Sequence, residues 1–233
     1  MSKGRGNTDH QFIFSIRPYQ TSDKEKIRKL CCDTGYFGQP IDIIFQDRRW
    51  FADLNTGYYL NFEPDMCFVA EAESKLIGYI LGCRHPLIYS LIFYGLIAPL
   101  LFVKAFVKSL FKVYDSKSRA YIKKLVLRGS RERPKKPSKA AHFHINIKQG
   151  YRRKGVGKAL IRTLFKELLK RGIDKVYGEL FHTDRLRDES LYTSHGALVF
   201  DKKPTFIFAP EWGQVYMMTL LIRLNEIKET WKL

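Results

Sequence analysis

The sequence predicts an α+β fold with a basic, apolar helical insertion, and three observations carry that expectation. Strand-type and helical patterns follow one another as strand, helices and hairpin over roughly the first third of the chain. A strand, a glycine-rich turn, a long amphipathic helix and a second strand succeed one another after residue 140. Between these parts, residues 84–139 have a composition of their own. The 233 residues are enough for one sizeable core, so one domain of residues 1–233 with an insertion at about 84–139 is expected rather than two full domains. With 45% apolar and 14% aromatic residues the chain is expected to fold as a globular protein.

In order along the chain, "FIFSIRPYQTSDKEKIRKLCCDTG" reads as a short strand ending at Arg17-Pro18, then a helix opened by an N-cap near Thr21 or Ser22 and broken at Gly35. A second helical pattern lies in "DRRWFADLNTGYYLNF". The stretch "CFVAEAESKLIGYILG" holds two strand-type runs around the polar turn Glu73-Ser74-Lys75, a hairpin signal.

At Pro86 the chain changes character. No charged residue occurs across the 18 positions Pro86 to Val103, which is at the lower edge of the roughly 20 residues a membrane span requires. Gly95 and Pro99 fall inside this run. Lys104, Lys108 and Lys112 follow at four-residue steps, a spacing that predicts one cationic helical face opposite Phe106, Val107, Leu110 and Phe111. Residues 84–139 hold fourteen Lys and Arg against Asp115 and Glu132, so twelve of the net +18 charges reside there. The stretch Pro134 to Ser138 reads as a linker back into the fold.

Beyond it come a strand "HFHINI", the turn "QGYRRKGVG", a helix "KALIRTLFKELLKRG" and a strand "DKVYGELF". The helix places Leu160, Ile161, Leu164, Phe165, Leu168 and Leu169 at helical spacing and stops at Gly172. A short helix "DRLRDESLYTSHG" and strands "ALVFD" and "QVYMMTLLI" complete the pattern.

A glycine turn at a helix start presents unpaired N–H groups and the positive end of the helix dipole, which suits phosphate. A nucleotide P-loop would need lysine where Val156 stands, and the dinucleotide fingerprint would need glycine where Leu160 stands. What remains, Arg152-Arg153-Lys154-Gly155-Val156-Gly157 directly after a strand, resembles the R-x-x-G-x-G signature of the GNAT superfamily of acyl-CoA N-acyltransferases. The segments "SIRPYQTSDKEKIRKL", "FVAEAESKLIGYILG" and "LYTSHGA" resemble that superfamily's opening strand and helix, its central hairpin and its late helix.

The resemblance covers most of residues 12–83 and 141–222 and implies a mixed, mostly antiparallel central sheet flanked by helices. It also implies acetyl-CoA as cosubstrate. The backbone N–H groups from Arg153 through Lys154, Gly155, Val156 and Gly157 to Lys158 would wrap the CoA pyrophosphate, with Arg152 at the first basic position of the signature. The edge of Ile145, Asn146 and Ile147 would pair with the pantetheine arm like an added strand. The implied function is transfer of an acetyl group to a primary amine by direct attack. The chain departs from the family pattern at Arg185, Asp188 and Ala197, which stand where Asn, Ala and an aromatic residue are usual.

Direct transfer requires a base for the amine, donors for the oxyanion and an acid for the leaving thiolate. The resemblance makes Tyr192 the acid and assigns the oxyanion to a backbone N–H near Ile145 to Ile147. No carboxylate occurs in "AAHFHINIKQG", where many family members carry the base. His144, with His142 as the alternative, is the proton acceptor favoured by the pattern, because a regular strand places His142, His144 and Asn146 on one face and neutral histidine accepts protons near pH 7. Glu179 and Asp33 are further acceptors, and the H-x-H pair lacks a third ligand for a metal.

The segment containing Asp33, Thr34 and Tyr36 occupies the usual acceptor region, and Asp33, Asp42, Asp47 and Asp53 are available charges for a cationic amine or, equally, helix caps and surface charges. The acceptor's identity stays open. A second reading is a non-catalytic acyl-CoA-binding regulator or adaptor on the same fold, motivated by the altered late helix and the missing carboxylate. Nucleic-acid binding would require the aromatics of residues 88–121 to stack on bases, whereas aromatics in an apolar run more often pack in a core. For the insertion, contact with an anionic membrane surface through residues 86–128, a buried lid and a homodimer interface stay open, while a single span would put the halves of one sheet on opposite sides. Cys31, Cys32, Cys67 and Cys83 lack zinc spacing and read as reduced thiols. The polar start "MSKGRGNTDHQ" carries no apolar export signal, so the expected location is cytoplasmic, with membrane association as the open variant.

Overall fold

The computed structural model describes residues 12–185, 188–208 and 212–233. The start "MSKGRGNTDHQ" and part of the stretch expected as the helix "DRLRDESLYTSHG" lie outside the described residues. Strand β1 (Ser15–Pro18) leads through a 3₁₀ turn (Thr21–Asp23) into α1 (Lys24–Asp33), and α2 (Arg48–Phe62) follows. The N-cap of the first turn is Gln20, one residue before the expected position, and a reciprocal capping box with Asp23 holds it. Arg17 clamps the junction by donating to both Asp23 and Glu71.

Strands β2 (Cys67–Ala72) and β3 (Lys75–Cys83) form the expected hairpin. Its turn residues Glu73 and Ser74 both have positive φ, as a tight two-residue hairpin turn demands. Next come α3 (Pro86–Ile92), a π-turn (Phe93–Ile97), α4 (Ala98–Leu110) and α5 (Ser116–Arg128). Strand β4 (Ala141–Ile147), α6 (Val156–Lys170), β5 (Lys175–His182), α7 (Ser190–Thr193), β6 (Ala197–Thr205), β7 (Val215–Arg223) and α8 (Lys228–Trp231) complete the chain.

The seven strands make one sheet in the order β1-β2-β3-β4-β5-β7-β6. Every neighbouring pair is antiparallel except β4 and β5, which α6 connects as a parallel crossover. One core lies between the sheet and α1–α2, with Ile27, Trp50, Tyr79 and Leu81 at its centre. The other lies between the sheet and α6, where Leu160, Leu164, Phe165 and Leu168 are fully covered. Each such side chain contributes about 1.5–3 kcal/mol through burial. Gly82 of β3 makes that contact close: a Cβ there would meet Leu164 Cδ1 at 2.6 Å.

The insertion corrects one expectation about its charges. Helix α4 ends at Leu110 and Lys112 sits in the following turn with φ of 54°, so the three lysines do not form one helical face. Lys108 folds back to Asp47, 2.6 Å away, which also caps α2 and accepts from Tyr114. Burial penalises the bare carboxylate, and the ammonium joins the Trp50 N–H and the Tyr114 hydroxyl in offsetting that cost.

Candidate active site

The parallel pair β4–β5 is in register over only three positions, Ala141 with Val176, His142 with Tyr177 and Phe143 with Gly178. Among the described residues no pairing joins the two strands beyond Phe143, while β4 stays paired to β3 as far as Ile147 and β5 to β7 as far as His182. The sheet therefore opens into a crevice between His144–Ile147 and Glu179–His182, leaving one backbone edge of β4 without a strand partner. Extended chains recognise such an edge.

At the mouth of this crevice stands the start of α6. Gly155 is its N-cap in the left-handed region, φ 81°, and Arg153 has φ of 60°. The backbone N–H groups from Arg153 to Lys158 make no hydrogen bond within the described chain. A Cβ added at Gly155 would meet no atom within 4 Å, so this turn borders open space. Unpaired N–H groups at a helix start, with the dipole's positive end behind them, fit a pyrophosphate. The side chains are spread around it: Lys154 lies over Phe12 and Tyr151, and Lys158 over Trp231. Arg152 turns away from the run of N–H groups, donating to the Ile147 carbonyl at 3.1 Å and lying against Gly38 in the α1–α2 loop.

The strand β4 is regular, so His142, His144 and Asn146 share the face toward α1–α2, and Phe143, Ile145 and Ile147 pack toward α6. His142 Nδ1 is 3.1 Å from Tyr59 Oη, and its ring lies 4.4 Å from that of Tyr89. Asn146 donates to Tyr79 Oη at 2.8 Å. Burial pushes His142 down to about 3 and His144 down to about 4, the Asn55 backbone carbonyl opposing the shift at His144. Both imidazoles are therefore neutral at pH 7, and both are weak proton acceptors.

Glu179 sits on the same face across the opening, with Oε2 3.2 Å from Lys136 Nζ. Its charge raises the phenols of Tyr59, Tyr89 and Tyr177 further, after the larger effect of burial. Among the described residues its Oε1 is buried without a hydrogen-bond partner, as are His142 Nε2, His144 Nδ1, His182 Nδ1 and the hydroxyl of Thr219, the residue registered against Glu179 on β7. Buried polar atoms are nearly always paired, so five unpaired ones beside one crevice mark a place built for a polar guest. The expectation ranked Glu179 behind the histidines because it is absent from the strand that precedes the turn, and strand register was the missing information.

Tyr192 is half-buried on the opposite, α6-facing side, its ring 5.9 Å from His182. The candidate acid and the candidate bases thus lie on different faces of the sheet, and the crevice joins those faces. The acceptor-side expectations fare differently. Asp33 is ion-paired with Lys29 and Arg48, Asp42 with Arg48, Asp53 with Arg28, and Asp47 with Lys108. Their charges are spent on holding α1, α2 and α4 together, which corrects Asp33 as a free anchor for an amine. Thr34 donates to the Leu30 carbonyl at 2.8 Å. Tyr36 is buried among aromatics, packing on Phe208 and Trp212, with Phe37 and Phe181 alongside. That aromatic group brings together the α1–α2 loop, the end of β5 and the β6–β7 loop, and no local pattern in the sequence announces it.

Comparison with known proteins agrees with this architecture. The chain resembles a protein called SsHAT at 21% identity and a TM-score of 0.65, over 91% of this chain and 98% of that one. It also resembles yncA of Salmonella typhimurium, solved with its cofactor acetyl-CoA, at 13% identity and a TM-score of 0.51, over 91% and 95%. A polyamine N-acetyltransferase of Drosophila melanogaster that forms N-acetylagmatine aligns at 12% identity and a TM-score of 0.52, over 91% and 100%. No curated protein matches in sequence. At these identities the structures establish a shared fold, whereas the model of the acetyltransferase (GNAT) family matches residues 37–197, which include the crevice and the glycine turn. The chain belongs to the GNAT family of acetyltransferases.

Proposed function

We propose that the protein transfers an acetyl group from acetyl-CoA to a primary amine by direct attack. The observation that carries this reading is the run of unpaired N–H groups from Arg153 to Lys158, set at the mouth of a crevice whose β4 edge is unpaired and whose far end holds the bare Glu179 Oε1. Acetyl-CoA supplies the acyl group. The chain's part is to bind the pyrophosphate at Arg153–Lys158, to align the pantetheine arm along Ile145, Asn146 and Ile147, and to move two protons.

Glu179 takes the amine proton, because it combines a buried, unpartnered oxygen with a place at the crevice. His144, neutral and on the same face, positions the amine or a water beside it. Tyr192 returns a proton to the leaving thiolate from the other face. The acceptor amine is not specified by Asp33, Thr34 or Tyr36, whose polar groups are already engaged or buried.

Acetyl-CoA is expected to raise the melting temperature, and Gly155→Asp to abolish that rise by setting a carboxylate where the pyrophosphate binds. An unchanged melting temperature with saturating acetyl-CoA sinks the reading. CoA release is then followed against an amine library. Glu179→Gln is expected to lower kcat at least ~100-fold, the usual size of a lost general base, and Tyr192→Phe to lower it less. Binding of acetyl-CoA without release on any amine would favour the regulator or adaptor instead.

A further inference from the structure

Helices α3 and α4 join through the π-turn into one continuous helix, Pro86–Leu110, of 25 residues. Its mean hydropathy over the most apolar window is 2.1, yet only 17% of that window is buried. The inner side is well anchored. Trp50 Nε1 donates to the Leu101 carbonyl at 2.6 Å, Tyr89 packs on Tyr58 and Tyr59, and Lys108 is paired with Asp47.

The outer side is apolar, and none of the described residues covers it. Leu91, Leu96, Leu100, Val103, Val107 and Leu110 are all exposed, Leu91 at 76% and Leu110 at 65%. They recur at steps of three or four, with a single step of five between Leu91 and Leu96, where the wider π-turn takes up the extra residue. The π-turn lies just before Pro99, which has no N–H to give the preceding turn. The result is one aliphatic stripe.

We infer that this stripe docks on the surface of an anionic lipid bilayer, with the helix lying in the interface. Charge chooses among occupants. Lys104 lies within the exposed part of the helix, and Lys117, Arg119, Lys123 and Arg128 of α5 are exposed beside it in sequence. Of the two acids of residues 84–139, Glu132 is buried and bonds Thr205 and the Phe206 N–H, and Asp115, though exposed, accepts from the Ser118 N–H as the cap of α5, so cations dominate the surface. The outer surface of the insertion therefore offers apolar and cationic groups together, as interfacial helices do. A second copy meeting it about a two-fold axis would set these cations against each other. Nucleic acid would satisfy the charge and could stack on the exposed rings of Phe106 and Phe111, but it would leave the six aliphatic side chains of the stripe in water.

Topology argues for docking over spanning. The insertion leaves β3 and returns to β4, and Cys83 is registered against His142, so both ends lie side by side in one sheet. A single crossing cannot begin and end on the same side of a bilayer.

The test is flotation of the full chain with vesicles of phosphatidylcholine alone or mixed with phosphatidylserine. Flotation with the mixed vesicles, loss of it with phosphatidylcholine alone, and weakening by salt are expected. The triple change Leu91→Glu, Leu100→Glu, Leu110→Glu alters exposed side chains only and should abolish flotation with an unchanged melting temperature. The triple change Lys104→Glu, Arg119→Glu, Lys123→Glu should reduce flotation with the mixed vesicles at least tenfold. The inference is overturned if the wild-type chain stays unbound to mixed vesicles, or if the leucine variant floats as well. It is overturned in favour of a dimer if sedimentation shows a wild-type dimer, without flotation, that the leucine variant dissolves. Retention in the bilayer after alkaline carbonate would overturn it in favour of a span.

Discussion

At Gly155 the backbone φ of 81° places the N-cap of α6 in the left-handed region, where a side chain costs about 1–2 kcal/mol. Gly155→Ala should lower stability by that amount in urea titrations, since an added Cβ meets no atom of the described chain within 4 Å and only the backbone conformation is penalised, and it should weaken acetyl-CoA binding less than Gly155→Asp, which adds a charge as well as bulk. His142 and His144 make the second residue-scale prediction. Their folded pKa values, about 3 and about 4, lie below the ordinary 6.5. Their contribution is complete above pH 6.5. As pH falls below 6.5 the unfolded chain takes up protons that the buried rings refuse, so stability declines until the folded values are reached. The paired carboxylates Asp23 and Glu71 also cost stability in acid, but only below their ordinary values of 3.8 and 4.5. The decline in melting temperature between pH 6.5 and about 5 therefore belongs to the histidines, and His142→Phe should flatten it.

Among the elements, α6 serves both the crevice and the core. Its first turn faces the crevice mouth, and its apolar stripe sits on β2 and β3 through Leu160, Leu164 and Phe165. Leu164 fits against Gly82, which has no side chain to spare the contact. Leu164→Ala should cost about 2–5 kcal/mol by leaving a cavity there, and the loss should appear in the denaturation midpoint with an unchanged slope. The element pattern was legible early: apolar spacing, the Gly172 stop and the hairpin around Glu73-Ser74 all correspond to observed elements. Helix α7 was less so, spanning only Ser190–Thr193 of the described residues.

For the whole molecule, Asp47 decides how the insertion rides on the rest. It caps α2 at Trp50 and holds both Lys108 and Tyr114, at 2.6 and 2.7 Å. Burial opposes its ionisation, and those three donors outweigh that and lower its pKa. Asp47→Ala should cost about 2–4 kcal/mol, a cap plus charge-assisted hydrogen bonds. Hydrogen exchange should then speed up in residues 98–110 and at the start of α2 more than in the sheet, since the lost bonds are those to Lys108, Tyr114 and the Trp50 N–H.

The sequence by itself determined what depends on neighbours along the chain. The glycine turn at the start of α6 needs left-handed backbone and free N–H groups, both local properties, and they were readable in Arg153 to Lys158. The net charge of the insertion was equally readable from composition. What only the tertiary structure decided are relations between distant segments. Strand register sets Glu179 beside the opened edge of β4, and an ion pair across 61 positions turns Lys108 away from its expected row. The same packing neutralises Asp33 with Arg48 and leaves one side of Pro86–Leu110 uncovered. A periodic pattern shows that a helix has an apolar face, but whether that face meets a core, a partner or lipid depends on how much of it the rest of the chain can cover.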